Sequence, residues 1–411
     1  MAARGGVPAQ DGALAMNMQS SAMTGMLSQA QAATMAPAGA APAATGAPRH
    51  LFGPVADFLL LGGSSLLLMP LMFLLPEPQV TAPLATLMLY LANVVNHPHF
   101  AHSYQIFYRG YRAKAFTPAL GRTMQARYLF AGLVAPVLLA AFLAYGAMAA
   151  DVRLLGYGGN LMALAVGWHY AKQGYGMLMV DAAFKRRFFD QRTKNVLLAN
   201  CYAVWLAAWM NINAQIAKDD LWGLAYYSFA IPQPLQIAAN VAAALTSALA
   251  LGAIVLHWRA KRTLPVSGLV AYGVSLYLWL LFVTVNPLWG LVVPALHSLQ
   301  YLAVVWRFQL NYEKAQLGSE EYRKGSLVRA IFGANPAGHM TIFVLTGTLL
   351  GFLGFWLLPV IADRFLPYDR QAIAGTLFMF VFWIFINVHH YLLDNVMWRR
   401  DNPDTRAYLF G

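Results

Sequence analysis

Ten stretches of this chain run for about twenty residues almost without charge, the length of helix that crosses a hydrocarbon core of roughly 30 Å. They fall at residues 55–76, 83–108, 128–150, 154–183, 195–217, 235–258, 266–285, 288–308, 338–360 and 371–398. In lipid every backbone amide must find its partner inside the protein, so runs of this kind commit the chain to helices. Only 11% of the 411 residues are charged and 59% are apolar, whereas soluble domains run near a quarter charged. The expectation is an all-α, polytopic membrane helix bundle of about ten transmembrane helices. It forms one domain over residues 50–400, followed by a short tail at 401–411. Residues 1–49 are rich in Ala, Met and Gly and poor in large apolar side chains. They read as a disordered tail without the Leu-rich stretch of a secretory signal.

The loops set an orientation. The formal charge is +12, which in a soluble protein would suggest nucleic acid as a partner. Here the basic residues gather in alternate loops. Loop 109–127 carries Arg109, Arg112, Lys114, Arg122 and Arg127, and loop 184–194 carries Lys185, Arg186, Arg187, Arg192 and Lys194. Loop 259–265, segment 307–337 and both termini continue the pattern. Of the 28 Lys and Arg, only Arg153, Lys218, Arg364 and Arg370 fall on the opposite side, and Lys172 lies within a span. Both termini are therefore expected in the cytoplasm, the membrane is expected to be a bacterial inner membrane, and no nucleic-acid partner is expected. The single cysteine, Cys201, excludes an intramolecular disulfide and Cys-rich zinc or iron–sulfur sites.

Seven of the ten histidines lie inside spans. His97, His99 and His102 are on the second, His169 on the fourth, His297 on the eighth, and His389 and His390 on the tenth. His50, His257 and His339 belong to the tail or to helix ends. Residues 99–109 (HFAHSYQIFYR), 297–307 (HSLQYLAVVWR) and 389–399 (HHYLLDNVMWR) each begin with His and end, ten residues later, in an aromatic–Arg pair. Such pairs mark the membrane–water interface, and ten residues of helix rise about 15 Å. These histidines are thus expected at one depth near the midplane. His169 lies deeper on a simple count, on a helix that Gly174 and Gly176 could kink. Polar residues recur at i+3 or i+4 from the histidines: Ser103, Lys172, Gln173, Gln300, Tyr301 and Asp394. Ionisable groups at this depth are costly and face a partner in the bundle interior. The bland alternative is hydrogen-bonding between helices.

Imidazole suits iron, copper and zinc. His99, His102, His169, His297 and His390, with His97 or His389 and with Asp394, form the expected ligand set of a mononuclear or dinuclear iron site, or of copper. Gln173, Gln300 and Tyr301 are expected to orient the ligands, and Lys172 to neutralise a bound anion, to steer dioxygen reduction or to pair with Asp394. A redox metal in lipid implies an apolar substrate, a lipid or isoprenoid, oxidised with dioxygen, and an electron-donor protein. In the stretches HPHFAHSY, WHYAKQGYG, HSLQY and NVHHYLLD the chain loosely resembles the histidine-rich membrane iron oxygenases, including the bacterial Brp/Blh β-carotene cleavage enzymes. The HxxxH and HxxHH boxes of the desaturases are absent, so the resemblance implies a reaction class and carries no residue roles. Two other functions fit the same layer. One is a haem-binding electron-transfer protein; the other is a transporter of protons, metal ions or a small solute.

Overall fold

The computed structural model describes residues 49–74, 77–117, 120–215, 218–221, 224–284, 288–317, 331, 333, 335–373 and 376–410. The expected disordered tail lies outside the described residues, apart from Arg49. The described chain is helical apart from one short hairpin. The helices are α1 (Pro54–Leu74), α2 (77–107), α3 (Arg122–Met148), α4 (Val152–Phe184), α5 (Gln191–Gln215), α6 (Gln233–Lys261), α7 (Val266–Leu281), α8 (Leu288–Leu317), α9 (Pro336–Phe365) and α10 (Leu377–Met397). Seven of them, all but α2, α4 and α7, are long and apolar enough to cross a membrane. The three exceptions have plain chemical reasons. α2 carries three histidines and Pro98, α4 carries Arg153, Lys172 and Asp181, and α7 is shorter than the rest.

One element was not expected. In the loop after α5, strand β1 (Lys218–Leu221) pairs antiparallel with β2 (Leu224–Tyr227), with Lys218 opposite Tyr227. The adjoining Asn213 fastens this hairpin to the bundle. Its side-chain oxygen accepts from Asn160 at 2.6 Å and from the Phe229 amide at 2.7 Å.

α8 is central. Its apolar window is 72% buried, against 17% for the peripheral α6, which lies against α5. α4 is a continuous helix packed against α5, α7, α10 and the hairpin. Its helical hydrogen bonding runs unbroken through Gly174 and Gly176. Gly174 serves close packing instead: a Cβ there would sit 2.5 Å from the Ser275 Cβ of α7. α2 and α9 approach in the same way, since a Cβ on Gly351 would come within 2.8 Å of the His97 backbone.

Wide π turns interrupt several helices, at Leu59–Gly63, Ala92–Asn96, Phe130–Val134, Val274–Leu281 and Leu353–Leu357. An extra residue in a turn rotates everything after it, and such turns collect at functional sites. The turn at Ala92–Asn96 directly precedes His97. In the first turn, Gly62 takes φ +155°, and its lack of a side chain lets the Ala271 backbone approach.

Carboxylates hold the chain ends of helices. Asp57 accepts the amides of Leu51 and Phe52 at 2.9 Å and lies 3.2 Å from His50 Nδ1. Asp190 accepts the Thr193 amide and hydroxyl, each at 2.9 Å, at the start of α5. That amide holds its carboxyl below the usual carboxylate range.

Candidate metal centre

Four helices each bring one histidine to a common point: His99 from α2, His169 from α4, His297 from α8 and His390 from α10. Ring centroids are 4.7 Å apart for His99 and His390, 5.0 Å for His169 and His390, 5.0 Å for His169 and His297, and 5.4 Å for His99 and His297. One ligand atom from each of His99, His169 and His390 lies within 4.8 Å of the other two. Asp394 joins them. Its Oδ2 is 3.4 Å from His390 Nε2 and 3.8 Å from His169 Nε2. All five side chains are buried.

Neighbouring groups decide which nitrogen points inward. His99 Nδ1 lies 2.6 Å from the Asn96 carbonyl, which only accepts, so Nδ1 carries the hydrogen and Nε2 keeps a free lone pair. Ser298 Oγ lies 3.0 Å from the same Nδ1. On the other side a chain of hydrogen bonds has a single consistent direction when Asp394 is ionised. His390 Nδ1 donates to Ser103 Oγ at 2.7 Å, Ser103 donates to the Tyr301 oxygen at 2.7 Å, and Tyr301 donates to Asp394 Oδ1 at 2.8 Å. His390 Nε2 is then also a free lone pair. Fixing the tautomer through the far nitrogen is how proteins prepare imidazole for a metal. Aromatic rings close the site: Tyr391 stacks on His169 at 4.4 Å, Tyr170 lies 4.1 Å from His297, and Phe100 lies 4.8 Å from His390.

The inward atoms have no partner among the described residues. His99 Nε2, His169 Nε2, both nitrogens of His297, His390 Nε2 and Asp394 Oδ2 are buried without a hydrogen bond. Each such atom costs about 1–3 kcal/mol. Six of them around one point amount to a penalty on the order of the whole stability of a typical fold. Contact distances of 3.4 and 3.8 Å are too long for hydrogen bonds. They match the spacing of donors that share an ion at about 2.1 Å from each. The donor set fits a metal: His99, His169 and His390 with Asp394 beside two of them and the His297 ring next to His99 and His169, two of the imidazoles being held in the ligating tautomer when Asp394 is ionised.

The other expected residues stand elsewhere. His389 has both nitrogens engaged, Nδ1 with the Tyr104 hydroxyl and Nε2 with the Ala131 carbonyl, each at 2.9 Å. His97 stacks on Phe355 of α9 at 4.3 Å, and His102 stacks on Phe343 of α9 at 4.2 Å while its Nδ1 meets Gln105 Oε1 at 2.7 Å. His97 Nδ1 and His102 Nε2 are unpartnered as well, but neither ring joins the cluster. Lys172 turns toward α5, 5.8 Å from the rings of Tyr175 and Tyr202. Among the described residues it forms no ion pair with Asp394. Gln173 and Gln300 tie helices together: Gln173 Nε2 donates to the His297 carbonyl at 3.1 Å and to Gln300 Oε1 at 2.8 Å, and Gln300 donates to the Leu61 carbonyl in the wide turn of α1. His50 and His339 pair with Asp57 and Glu313, and His257 packs on Phe189 at 4.6 Å.

Ser298 and Tyr170 were not foreseen from the sequence. Each adjoins a site histidine in sequence, Ser298 beside His297 and Tyr170 beside His169, yet each acts on a histidine from a different helix. Only tertiary packing reveals that. The chain matches no family model, no curated protein and no solved structure, so a functional reading of this protein stands on the four histidines and Asp394 themselves.

Proposed function

We propose that this protein is a multi-pass membrane oxidoreductase with one metal ion held by His99, His169, His297, His390 and Asp394. The observation that carries the reading is that His99, His169 and His390 bring one ligand atom each within 4.8 Å of one another, with Asp394 Oδ2 beside two of them, all buried and without a hydrogen bond. Iron suits the set best. Imidazoles with a carboxylate and no sulfur donor are characteristic of non-haem iron, whereas copper electron-transfer sites recruit Cys and Met. One ion can take one nitrogen from each imidazole and Asp394 Oδ2, so a mononuclear centre is the simpler assignment. Haem would need two imidazoles on opposite faces of a flat macrocycle, whereas these four rings crowd one another edge to face at 4.7–5.4 Å. Relay groups for transport would be strung out along the bilayer normal, and these converge instead.

Iron bound here would supply one-electron redox chemistry and activation of dioxygen for oxidation of an apolar substrate, a lipid or isoprenoid entering from the bilayer. The side chains contribute the rest. Ser103, Tyr301 and Asn96 orient the ligands, while Phe100, Tyr170 and Tyr391 keep water out. The alternating basic loops support ten crossings, with α2, α4 and α7 completing the seven long apolar helices and with both ends on the basic, cytoplasmic side.

The test is metal analysis of detergent-purified protein after anaerobic purification with added iron, with an optical spectrum. About one iron per chain and no Soret band are expected, with near-complete loss in His169→Ala and in His390→Ala. Substoichiometric metal in the wild-type protein overturns the proposal.

A further inference from the structure

The Tyr301 phenol is bonded on both sides. Inward, it donates to Asp394 and lies 2.7 Å from Ser103, which bonds His390. Outward, it accepts a hydrogen bond from Trp398 Nε1 at 3.3 Å. The indole of Trp398 is therefore linked by hydrogen bonds to two members of the candidate metal site.

Beyond Trp398 the aromatic contacts continue to the basic end of the bundle. Trp398 meets Phe308 edge-on at 5.5 Å, Phe308 meets Tyr408 at 5.6 Å, and Tyr408 meets Tyr312 at 5.1 Å. The Arg109 guanidinium lies 3.8 Å over Tyr312. Trp398, Tyr408 and Tyr312 are all partly exposed. Arg399 follows Trp398, and Arg406 lies on the same short helix as Tyr408, Pro403–Leu409. Interfacial Trp and Tyr are common at membrane surfaces, but that habit does not account for an indole N–H aimed inward at a buried phenol.

We propose that Trp398 is the point at which electrons enter the metal centre, a reading that rests on the metal assignment above. A one-electron carrier with an acidic face, complementary to Arg109 and Arg406, would approach this end, where Arg399 is itself paired with Asp401 at 2.9 Å. The carrier loses one electron, which passes through the Trp398–Tyr301 hydrogen bond and its continuations to Asp394 and His390, and ferric iron becomes ferrous. No covalent bond forms or breaks.

The experiment mixes oxidised, iron-loaded protein in lipid nanodiscs with sodium dithionite, an anionic reductant confined to water. Reduction is followed by stopped-flow absorbance, with iron content and midpoint potential measured on the same samples. Trp398→Phe keeps a ring but loses the N–H; Trp398→Leu loses both. Reduction is expected to slow in the first and by an order of magnitude in the second, with iron content and potential unchanged. Trp356→Phe, whose indole bonds Asn93 rather than Tyr301, is expected to match the wild-type rate. Should Trp398→Leu fail to fold, Trp398→Phe decides. Equal rates in wild type and Trp398→Phe, with iron bound, overturn the entry role alone. A wild-type protein that holds no iron overturns the metal assignment and this proposal together.

Discussion

His389 and His390 are adjacent, buried and chemically identical, yet the structure gives them opposite jobs, so replacing each by Ala is a sharp test. His389→Ala removes two hydrogen bonds and strands the Tyr104 hydroxyl and the Ala131 carbonyl. Each stranded group costs about 1–3 kcal/mol, and deleting a buried ring adds a cavity of the kind that costs about 3–5 kcal/mol for Phe→Ala. A loss on the order of 5 kcal/mol, the low end of these contributions together, is expected, equal with and without metal. His390→Ala behaves otherwise. It removes an unpartnered nitrogen as well as a ring, and Ser103 keeps Tyr301 and the His99 carbonyl as partners. Its cost without metal is therefore smaller, on the order of 1–3 kcal/mol. With metal, one of five donors is gone, and affinity should fall beyond the 10–100-fold typical of an outer partner. A 100-fold excess of ligand over Kd contributes about 2.7 kcal/mol to stability, and that contribution disappears. The assay is thermal unfolding in detergent, with iron and with chelator. Wild type and His389→Ala should show the same metal-dependent rise in Tm from different baselines, and His390→Ala should show none. A metal-dependent rise that survives in His390→Ala but vanishes in His389→Ala would refute the assignment.

Three further outcomes follow from the geometry. Ser103→Ala cuts the link from His390 to Tyr301 and should weaken iron binding by about 10–100-fold in a competition titration while the protein still inserts; unchanged affinity would mean that the link does not orient His390. Gly351→Ala puts a Cβ within 2.8 Å of the His97 backbone and should lower stability by about 1–3 kcal/mol, whereas Gly252→Ala in α6, with open space around it, should be neutral or raise stability by up to about 1 kcal/mol; equal melting temperatures for the two variants would contradict the close α2–α9 approach. Cys201 is fully buried, so single added cysteines report orientation cleanly: Arg112→Cys should react with an impermeant maleimide only after the membrane is opened, and Arg370→Cys should react from outside in intact cells. The reverse pattern would invert the proposed topology.

Much of this architecture is written in hydropathy. Long apolar runs leave no alternative to helix, and the positions of the helices follow. The hairpin after α5 escaped notice because four-residue strands have too little pattern to stand out beside twenty-residue runs. The candidate metal site was partly legible for a related reason. A shared distance from His to the interfacial Arg reports depth along a helix, and depth alone singled out His99, His297 and His389, the last of these one residue away from the His390 that joins the cluster. It does not report direction around the helix. Treating i+3 and i+4 as one face admitted His102, Lys172 and Gln300 to the site on the same terms as Ser103, Gln173, Tyr301 and Asp394.

The structure separates them by spacing. On three of the helices the residue four after the histidine stays with the site: Ser103 bonds His390, Tyr301 bonds Asp394, and Asp394 faces His169 and His390; on α4, Gln173 reaches only the His297 backbone carbonyl and Gln300. The residue three after it turns to another neighbour: His102 to α9, Lys172 to α5, Gln300 to α1 and Leu393 into apolar packing. The two spacings rotate in opposite senses about the helix axis, by about +40° and −60°. A histidine aimed at the site therefore keeps the first set nearer to it, at about 40°, than the second, at about 60° on the other side. Four helices converging on one point turn a band of histidines into a pocket of four imidazoles and a carboxylate. The same spacing puts His390, four residues before Asp394, in the pocket, while His389, one residue earlier, faces α3.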